Sequence, residues 1–117
     1  MTPGQPAPRF VSAGEALTDL IRQEDGYWLA RAGGAPWNVA RVMAGFGISS
    51  AFAGSVSRDN FGDEIAVLSR EAGLDMRFLQ QHDKPSLLAF VHQLSPPRYD
   101  FIGVDSADLA FDPQLLP

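Results

Sequence analysis

Two adjacent glycines followed closely by a proline mark the start of residues 33–62, where the sequence pattern is most specific. Glycine has no Cβ, so the backbone at Gly33 and Gly34 can approach a ligand closely and can adopt positive φ angles. The proline suits the first turn of a helix, where its missing N–H would have had no partner. The pattern predicts a helix over residues 36–45 whose free N–H groups face the diglycine. Asn38, in its first turn, offers a polyhydroxylated ligand both a donor and an acceptor.

The spacing of these residues resembles the first signature of the PfkB (ribokinase-like) carbohydrate kinase family. Here the signature reads Gly-Gly-Ala-Pro-Trp-Asn-Val-Ala over residues 33–40, with Gly47 at the next expected glycine position. Residues 57–62 resemble the Gly-x-Asp-x-Phe-Gly turn of the family, although Ser57 stands in place of the usual glycine. Because the signature spans many spaced positions, it is far more specific than a lone glycine motif. The resemblance extends over residues 14–117, which corresponds to only the first part of a typical family member.

Hydrophobic periodicity predicts alternating strands and helices along the middle of the chain. The predicted strands are residues 10–13, 50–56 and 76–80; the predicted helices are residues 36–45 and a segment that starts at the N-cap Asn60 and ends before Gly73. In the first helix, helical spacing predicts a core-facing stripe of Val39, Val42 or Met43, and Phe46. Strands that alternate with helices are typical of a parallel sheet covered by helices. The predicted fold class is therefore α/β.

Two further pairs of short strands fall outside this alternation. Residues 20–23 and 27–30 flank Glu24-Asp25-Gly26, a turn sequence that favours a hairpin. Residues 86–94 and 99–104 flank a connection with two prolines.

The resemblance implies that these segments, about residues 20–31 and 86–104, form a small β lid on a truncated ribokinase-like sheet. Residues 1–8 would be a flexible N-terminal arm, and residues 9–117 the N-terminal, sugar-binding part of the domain.

The resemblance also implies a set of substrate-binding residues, namely Asp19, Gly33, Gly34 and Asn38. Asp19 would lie in a loop after the first strand and accept hydrogen bonds from sugar hydroxyls, a role that suits a carboxylate. From the residues alone, an ordinary loop aspartate is the alternative. His92 is expected on a strand face as a packing or surface residue, since it has no recognisable partner that would make it catalytic. His82 is expected to be solvated in a polar loop.

The amino-acid sequence of the opening segment, residues 14–20, is most similar to that of fructokinase-like members. The resemblance therefore implies ATP-dependent phosphorylation of a sugar hydroxyl with Mg²⁺. In the family, the catalytic base belongs to a later glycine-rich motif, which does not occur in this chain. We therefore assign no catalytic, cofactor-binding or metal-binding residue here and expect the chain alone to be inactive.

The sugar itself is expected to be neutral, such as fructose. Family members that act on acidic or phosphorylated sugars often carry an arginine near the end of the second lid strand pair. The corresponding position here is Gly103, with Arg98 as the alternative for that role.

Composition excludes several other classes of function. The 117 residues carry a net charge of −5, so a surface that tracks nucleic-acid phosphates is not expected. There is no cysteine, which removes disulfides, thiolate zinc sites and cysteine nucleophiles. No apolar run approaches the roughly 20 residues that a membrane span requires, and the start of the chain lacks a signal-peptide pattern. These features predict a cytoplasmic protein without a membrane partner.

Self-association is expected because so few core strands leave sheet edges and apolar faces uncovered. The predicted contact surfaces are the lid strands or the exposed sheet edge. Two alternatives to a kinase portion remain open. One is a non-catalytic sugar-binding or self-association protein; the other, a nucleotide-binding regulatory fold, is disfavoured because no phosphate-binding loop is present.

Overall fold

A computed structural model describes residues 5–117, so residues 1–4 of the predicted arm lie outside the described part of the chain. The strands are β1 (Phe10–Ala13), β2 (Leu17–Arg22), β3 (Trp28–Gly33), β4 (Ser50–Ser57), β5 (Leu79–His82), β6 (Leu88–Leu94) and β7 (Pro97–Ile102). The helices are α1 (Ala35–Gly45) and α2 (Asn60–Glu71), and short 3₁₀ turns span Met76–Phe78, Ala107–Ala110 and Pro113–Leu115. No helix among these is long and apolar enough to cross a bilayer.

The core is a three-stranded parallel sheet in the order β1-β4-β5. Its central strand β4 is buried along its whole length, as expected of a strand with neighbours on both sides. Phe52 and Val56 of β4 pack with Trp37 of α1 and Ile65 of α2, so both helices contribute to one hydrophobic cluster. The predicted parallel sheet with flanking helices is confirmed.

The second sheet, which we call the lid sheet, has the order β3-β2-β6-β7. Its two outer pairs are antiparallel hairpins, while β2 and β6 run parallel at its centre. Gly26 has a φ of 88°, which explains why Asp-Gly serves as the turn of the first hairpin. The radius of gyration is 14.9 Å, against about 13 Å for a compact domain of this length, so the fold is elongated.

The predicted core stripe of α1 is wrong. Val39 and Phe46 are 47% and 76% exposed, and the residues that face the core are Trp37 and Ala40. Both sets of residues satisfy helical spacing, so periodicity alone does not choose between them. The large indole fills the space above the sheet, and the small Ala40 lets the helix approach closely. Trp37 Nε1 donates a hydrogen bond to Ser69 Oγ at 2.9 Å, which satisfies its only polar atom.

Several element boundaries differ from the prediction, among them the start of the first lid strand, which is Leu17 and not residue 20. The N-cap of α2 is Asp59 rather than Asn60, because the Asp59 carboxylate accepts the backbone N–H of Gly62 at 2.9 Å. Strand β5 starts at Leu79, three residues late, because Asp75 caps a 3₁₀ turn by accepting the N–H of Arg77. The second half of the Ser95-Pro96-Pro97-Arg98 connection is already strand β7.

Candidate functional site

An open cleft of about 510 Å³ lies between the lid sheet and the start of α1. Its lining is mostly apolar, with a few polar groups, as is usual for small-molecule sites. The lining residues are Glu15, Leu17, Asp19, Ile21, Gly34, Ala35, Ala89, Val91, Gln93, Leu94, Pro97, Tyr99 and Phe101.

Asp19 lies inside strand β2, not in the predicted loop. Strand β2 is hydrogen-bonded along both edges, with β3 on one side and β6 on the other. Successive residues of a strand point to opposite faces, so Thr18 faces away from the cleft while Asp19 lines it. The strand therefore gives the carboxylate a fixed direction that a loop would not.

The carboxylate of Asp19 lies next to the backbone of Gly33, since a Cβ added at that glycine would stand 2.8 Å from Oδ2. The structure brings these two predicted residues together because Gly33 pairs with Leu17 at the end of the same hairpin. Within residues 5–117, no side chain or backbone group donates a hydrogen bond to the Asp19 carboxylate. Partial burial raises the pKa of Asp19, and the nearby Arg31 lowers it to a smaller extent. An acceptor with free lone pairs thus faces the cleft.

Gly34 also lines the cleft, where it forms the N-cap of α1. Its φ of 111° and the 2.7 Å between an added Cβ and the Glu15 carbonyl oxygen show why glycine is required. In the described part of the chain no side chain caps this helix, and its first turn has no acidic residue. The free N–H groups at this end can therefore serve a ligand oxygen.

Gly33, although it lies against Asp19, is not part of the cleft lining, and neither is Asn38. Asn38 lies one turn into α1, with an exposed side chain whose Oδ1 accepts a hydrogen bond from Arg41 Nη1 at 3.3 Å. The Arg41 guanidinium lies 4.1 Å above the Trp37 ring. Because the oxygen of the Asn38 amide is occupied in this way, its NH₂ group remains available as a donor.

The aromatic lining from strand β7 is a feature that sequence reasoning missed. Tyr99 and Phe101 are two residues apart, lie on the cleft side of the lid sheet, and pack edge to face with ring centroids 5.2 Å apart. The period of two in residues 97–102 would have predicted this shared face. Aromatic side chains here provide an apolar surface that can cover a ligand held by Asp19.

Both histidines have polar partners, whereas sequence patterns indicated no recognisable partner for His92 and predicted a solvated loop position for His82. His92 Nε2 lies 2.9 Å from Asp100 Oδ2, and its ring packs edge to face against Trp28 outside the cleft. His82 is the last residue of β5, where its Nε2 lies 3.0 Å from Gln80 Oε1, and it is not in a solvated loop. Neither histidine lines the cleft.

The cleft does not match the phosphates of ATP. Among the described residues that line it there is no lysine, arginine or histidine, and its two acidic residues, Glu15 and Asp19, would repel a triphosphate. Among residues 5–117 there is also no group of three side chains that could hold a metal ion. The residues present therefore suit a neutral, hydroxyl-rich ligand better than a nucleotide.

Comparison with known proteins gives matches over nearly the whole chain. The pfkB family carbohydrate kinase profile matches residues 7–117. The chain is similar to a fructokinase of Escherichia coli, with 34% identity over 107 residues, which is 89% of this chain and 35% of the relative.

Solved structures agree with the sequence match. A fructokinase from Xylella fastidiosa with bound ATP superposes with a TM-score of 0.85 and 32% identity, over 92% of this chain and 34% of that one. An aminoimidazole riboside kinase from Salmonella enterica gives a TM-score of 0.77 at 25% identity, over 92% of this chain and 35% of that one. This chain therefore spans about a third of the length of these relatives.

Proposed function

Because the chain belongs to the pfkB family of carbohydrate kinases, we propose that it is the sugar-binding portion of a fructokinase-like enzyme. The reaction of the whole protein is transfer of the γ-phosphate of ATP to a sugar hydroxyl. The observation that carries the proposal is the free carboxylate of Asp19, directed into a cleft beside Gly33 and the start of α1. A carboxylate without an internal partner is an acceptor for sugar hydroxyls.

In this proposal, Asp19 accepts hydrogen bonds from the sugar, and the N–H groups at Gly34 donate to a sugar oxygen. Asn38 adds the NH₂ donor that Arg41 leaves free, once the sugar extends beyond the cleft towards the first turn of α1. Tyr99 and Phe101 cover the apolar face of the sugar ring and exclude water. A sugar held in this way has one hydroxyl in a defined position, which is the main requirement for phosphoryl transfer.

A neutral sugar such as fructose fits the lining best. No cationic side chain lines the cleft, so nothing compensates the charge of a sugar acid or a sugar phosphate. Gly103 carries no side chain, and an arginine there would require Leu87 to shift, since an added Cβ would stand 2.4 Å from Leu87 Cδ1. Arg98 instead lies in a separate groove with His92 and Asp100.

ATP and Mg²⁺ belong to the proposed reaction of the whole protein and not to this cleft. ATP would supply the phosphoryl group, and Mg²⁺ would neutralise its charge. We assign neither group to residues of this chain, and we expect the chain alone not to phosphorylate fructose. A cytoplasmic location is part of the same proposal, because a chain without cysteine makes no use of an oxidising compartment.

Titration of the ¹⁵N-labelled chain with fructose, followed by amide chemical shifts, tests the proposal. We expect concentration-dependent shifts at Gly33, Gly34, Ala89 and Phe101, and weaker effects from gluconate at equal concentration. The proposal fails if fructose shifts no amide near the cleft, or if gluconate binds more tightly than fructose. Shifts confined to the groove of His92 and Arg98 would also contradict it.

Self-association through the lid sheet is a second proposal, supported by exposed apolar residues on its strands. Trp28 and Leu29 on β3 are 41% and 44% exposed, and every residue of β7 is exposed. Light scattering should show a mass above that of a monomer at micromolar concentration, and Leu29→Glu should lower it. Val67→Glu, on the exposed side of α2, is the matched control and should leave the mass unchanged. A monomeric wild type with a cooperative melt contradicts this proposal.

A further inference from the structure

A small, partly enclosed cavity lies where the lid sheet meets the core sheet. The centre of a water-sized sphere can occupy about 10 Å³ of it, which is close to the minimum for one water molecule. Its lining comes from β2, β4, the chain before β6, α2 and the 3₁₀ turn Ala107–Ala110. The hydroxyl-bearing residues of the lining are Thr18, Ser55, Ser57 and Ser86.

Thr18 is fully buried, and its Oγ1 has no hydrogen-bond partner among residues 5–117. A buried hydroxyl without a partner is costly, because water satisfies it in the unfolded chain. The backbone of the same residue is satisfied, since its N–H donates to the carbonyl of Leu87 at 3.2 Å. The unsatisfied atom is therefore the side-chain hydroxyl, in a residue that lines the cavity.

The opposite wall carries hydroxyl oxygens with spare acceptor capacity. Ser55 is fully buried and donates its hydroxyl proton to the carbonyl of Ala107, so lone pairs on its oxygen remain free. Ser57 Oγ accepts the N–H of Asp59 at 3.0 Å and keeps a second lone pair. The cavity thus offers the two to four polar partners that a buried water molecule requires.

We propose that one water molecule occupies this cavity and bridges Thr18 Oγ1 of the lid sheet to the serine hydroxyls of β4. The water would accept a hydrogen bond from the Thr18 hydroxyl and donate hydrogen bonds to Ser55 Oγ and Ser57 Oγ, which gives the buried Thr18 hydroxyl a partner. The size of the cavity admits one water molecule and excludes a hydrated cation.

The bridge has a consequence for the cleft, and this part rests on the proposed function. Thr18 and Asp19 are consecutive in β2, so the two side chains point to opposite faces of the lid sheet. A water that holds Thr18 against the core therefore fixes the strand that directs Asp19 into the cleft. Thr18 acts here as a positioning residue that does not itself contact the sugar.

Substitution of Thr18 by valine tests whether the cavity holds a water molecule, because the melting temperature should change in opposite directions in a hydrated and in a dry cavity. Valine has the shape of threonine without the hydroxyl. If the water is present, Thr18→Val removes one of its partners and lowers the melting temperature by roughly 5 °C. If the cavity is dry, the same change removes an unsatisfied hydroxyl and raises the melting temperature, which would overturn the proposal.

Crystal structures of the wild type and of Thr18→Ser provide the second measurement, in case the valine variant does not fold. Both retain the hydroxyl, so both should show density for one water within hydrogen-bond distance of residue 18; its absence contradicts the bridge. Fructose affinity tests only the consequence for Asp19: it should fall in Thr18→Val and persist in Thr18→Ser. If melting and density agree with the bridge but affinity does not change, the water stands and its link to the cleft is wrong.

Discussion

The carboxylate of Asp19 lies against the backbone of Gly33, close enough that a Cβ on residue 33 would come within 2.8 Å of Oδ2. The two residues lie on neighbouring strands of one hairpin, in which Gly33 pairs with Leu17. The absence of a side chain at residue 33 therefore leaves room for the carboxylate. In the proposed function, Gly33 would therefore influence sugar binding by positioning the Asp19 carboxylate.

Gly33→Ala should weaken fructose binding by about tenfold with little effect on stability, because the end of the Asp19 side chain can move away from the new methyl group. Calorimetric titration and thermal melting measure the two effects separately. Gly45→Ala is the matched control, because an added Cβ there meets nothing within 4 Å. Equal affinities for Gly33→Ala and the wild type would show that the contact has no role in binding.

Gly34→Ala should behave differently and destabilise the fold by about 1–3 kcal/mol. Its φ of 111° is unfavourable for alanine, and the new Cβ would press on the Glu15 carbonyl, which belongs to the backbone and cannot rotate away. Urea denaturation should therefore show a lower midpoint for this variant than for Gly33→Ala. The reverse order of midpoints would contradict the backbone geometry at the start of α1.

The raised pKa of Asp19 predicts how its contribution to stability depends on pH. Partial burial disfavours the ionised form more than Arg31 favours it, so the folded state binds a proton more tightly than the unfolded state, whose pKa is about 3.8. The contribution of Asp19 to stability is therefore fully present below the unfolded-state pKa and is lost as pH rises through the folded-state pKa.

Asp19→Asn should therefore melt at a slightly higher temperature than the wild type at pH 7, and the difference should shrink below pH about 4. The gain should be small because the carboxylate remains largely open to solvent. Melting curves across this pH range provide the measurement. A variant that is less stable than the wild type at pH 7 would show that the ionised carboxylate stabilises the fold.

The lowered pKa of Asp59 predicts the opposite dependence of stability on pH. Its burial acts to raise the pKa, but hydrogen bonds from Ser86 and from the backbone of Gly62 outweigh this and lower it. Its stabilising contribution is present above the unfolded pKa of about 3.8 and is lost as pH falls through the lower folded-state pKa.

Asp59→Ala should cost about 1–2 kcal/mol at pH 7, through loss of the helix cap and of the link to the segment before β6. The difference from the wild type should shrink in acid. Asp63→Ala is the control, because the carboxylate of that exposed residue accepts a single hydrogen bond within residues 5–117, from Gln81, and does not cap the helix. If both variants lose the same stability, the cap is not the stabilising feature.

Sequence patterns predicted the order and type of the main elements because strand–helix alternation and turn glycines are local signals. They did not decide which stripe of α1 faces the core, since Val39 and Trp37 both fall on helically spaced apolar stripes. That choice depends on α2, where Ser69 accepts the indole N–H. The partner lies 32 residues away in the sequence and gives no local signal.

The candidate site was likewise predictable only in part, because some of its features depend on contacts between residues that are distant in the sequence. The diglycine stands out in the sequence, whereas Asp19 was indicated only by the family resemblance, and its strand position depends on pairing with β6, which lies about 70 residues later. Tyr99 and Phe101 enter the cleft only because the lid sheet has the order β3-β2-β6-β7. The hydrogen bond from Arg41 to Asn38 lies within one helix, and its i, i+3 spacing could have indicated it.

The fructose affinity of the wild-type chain and of Asp19→Asn, measured side by side by calorimetric titration, tests the central claim most directly. The amide keeps the shape of the side chain but removes its charge and one acceptor oxygen. Sugar binding through the carboxylate predicts a loss of at least about tenfold in affinity, because charge-assisted hydrogen bonds are the stronger kind. Glu15→Gln, which removes the other carboxylate of the cleft, should change the affinity much less. If fructose binds Asp19→Asn as tightly as the wild type, the sugar is not held by Asp19.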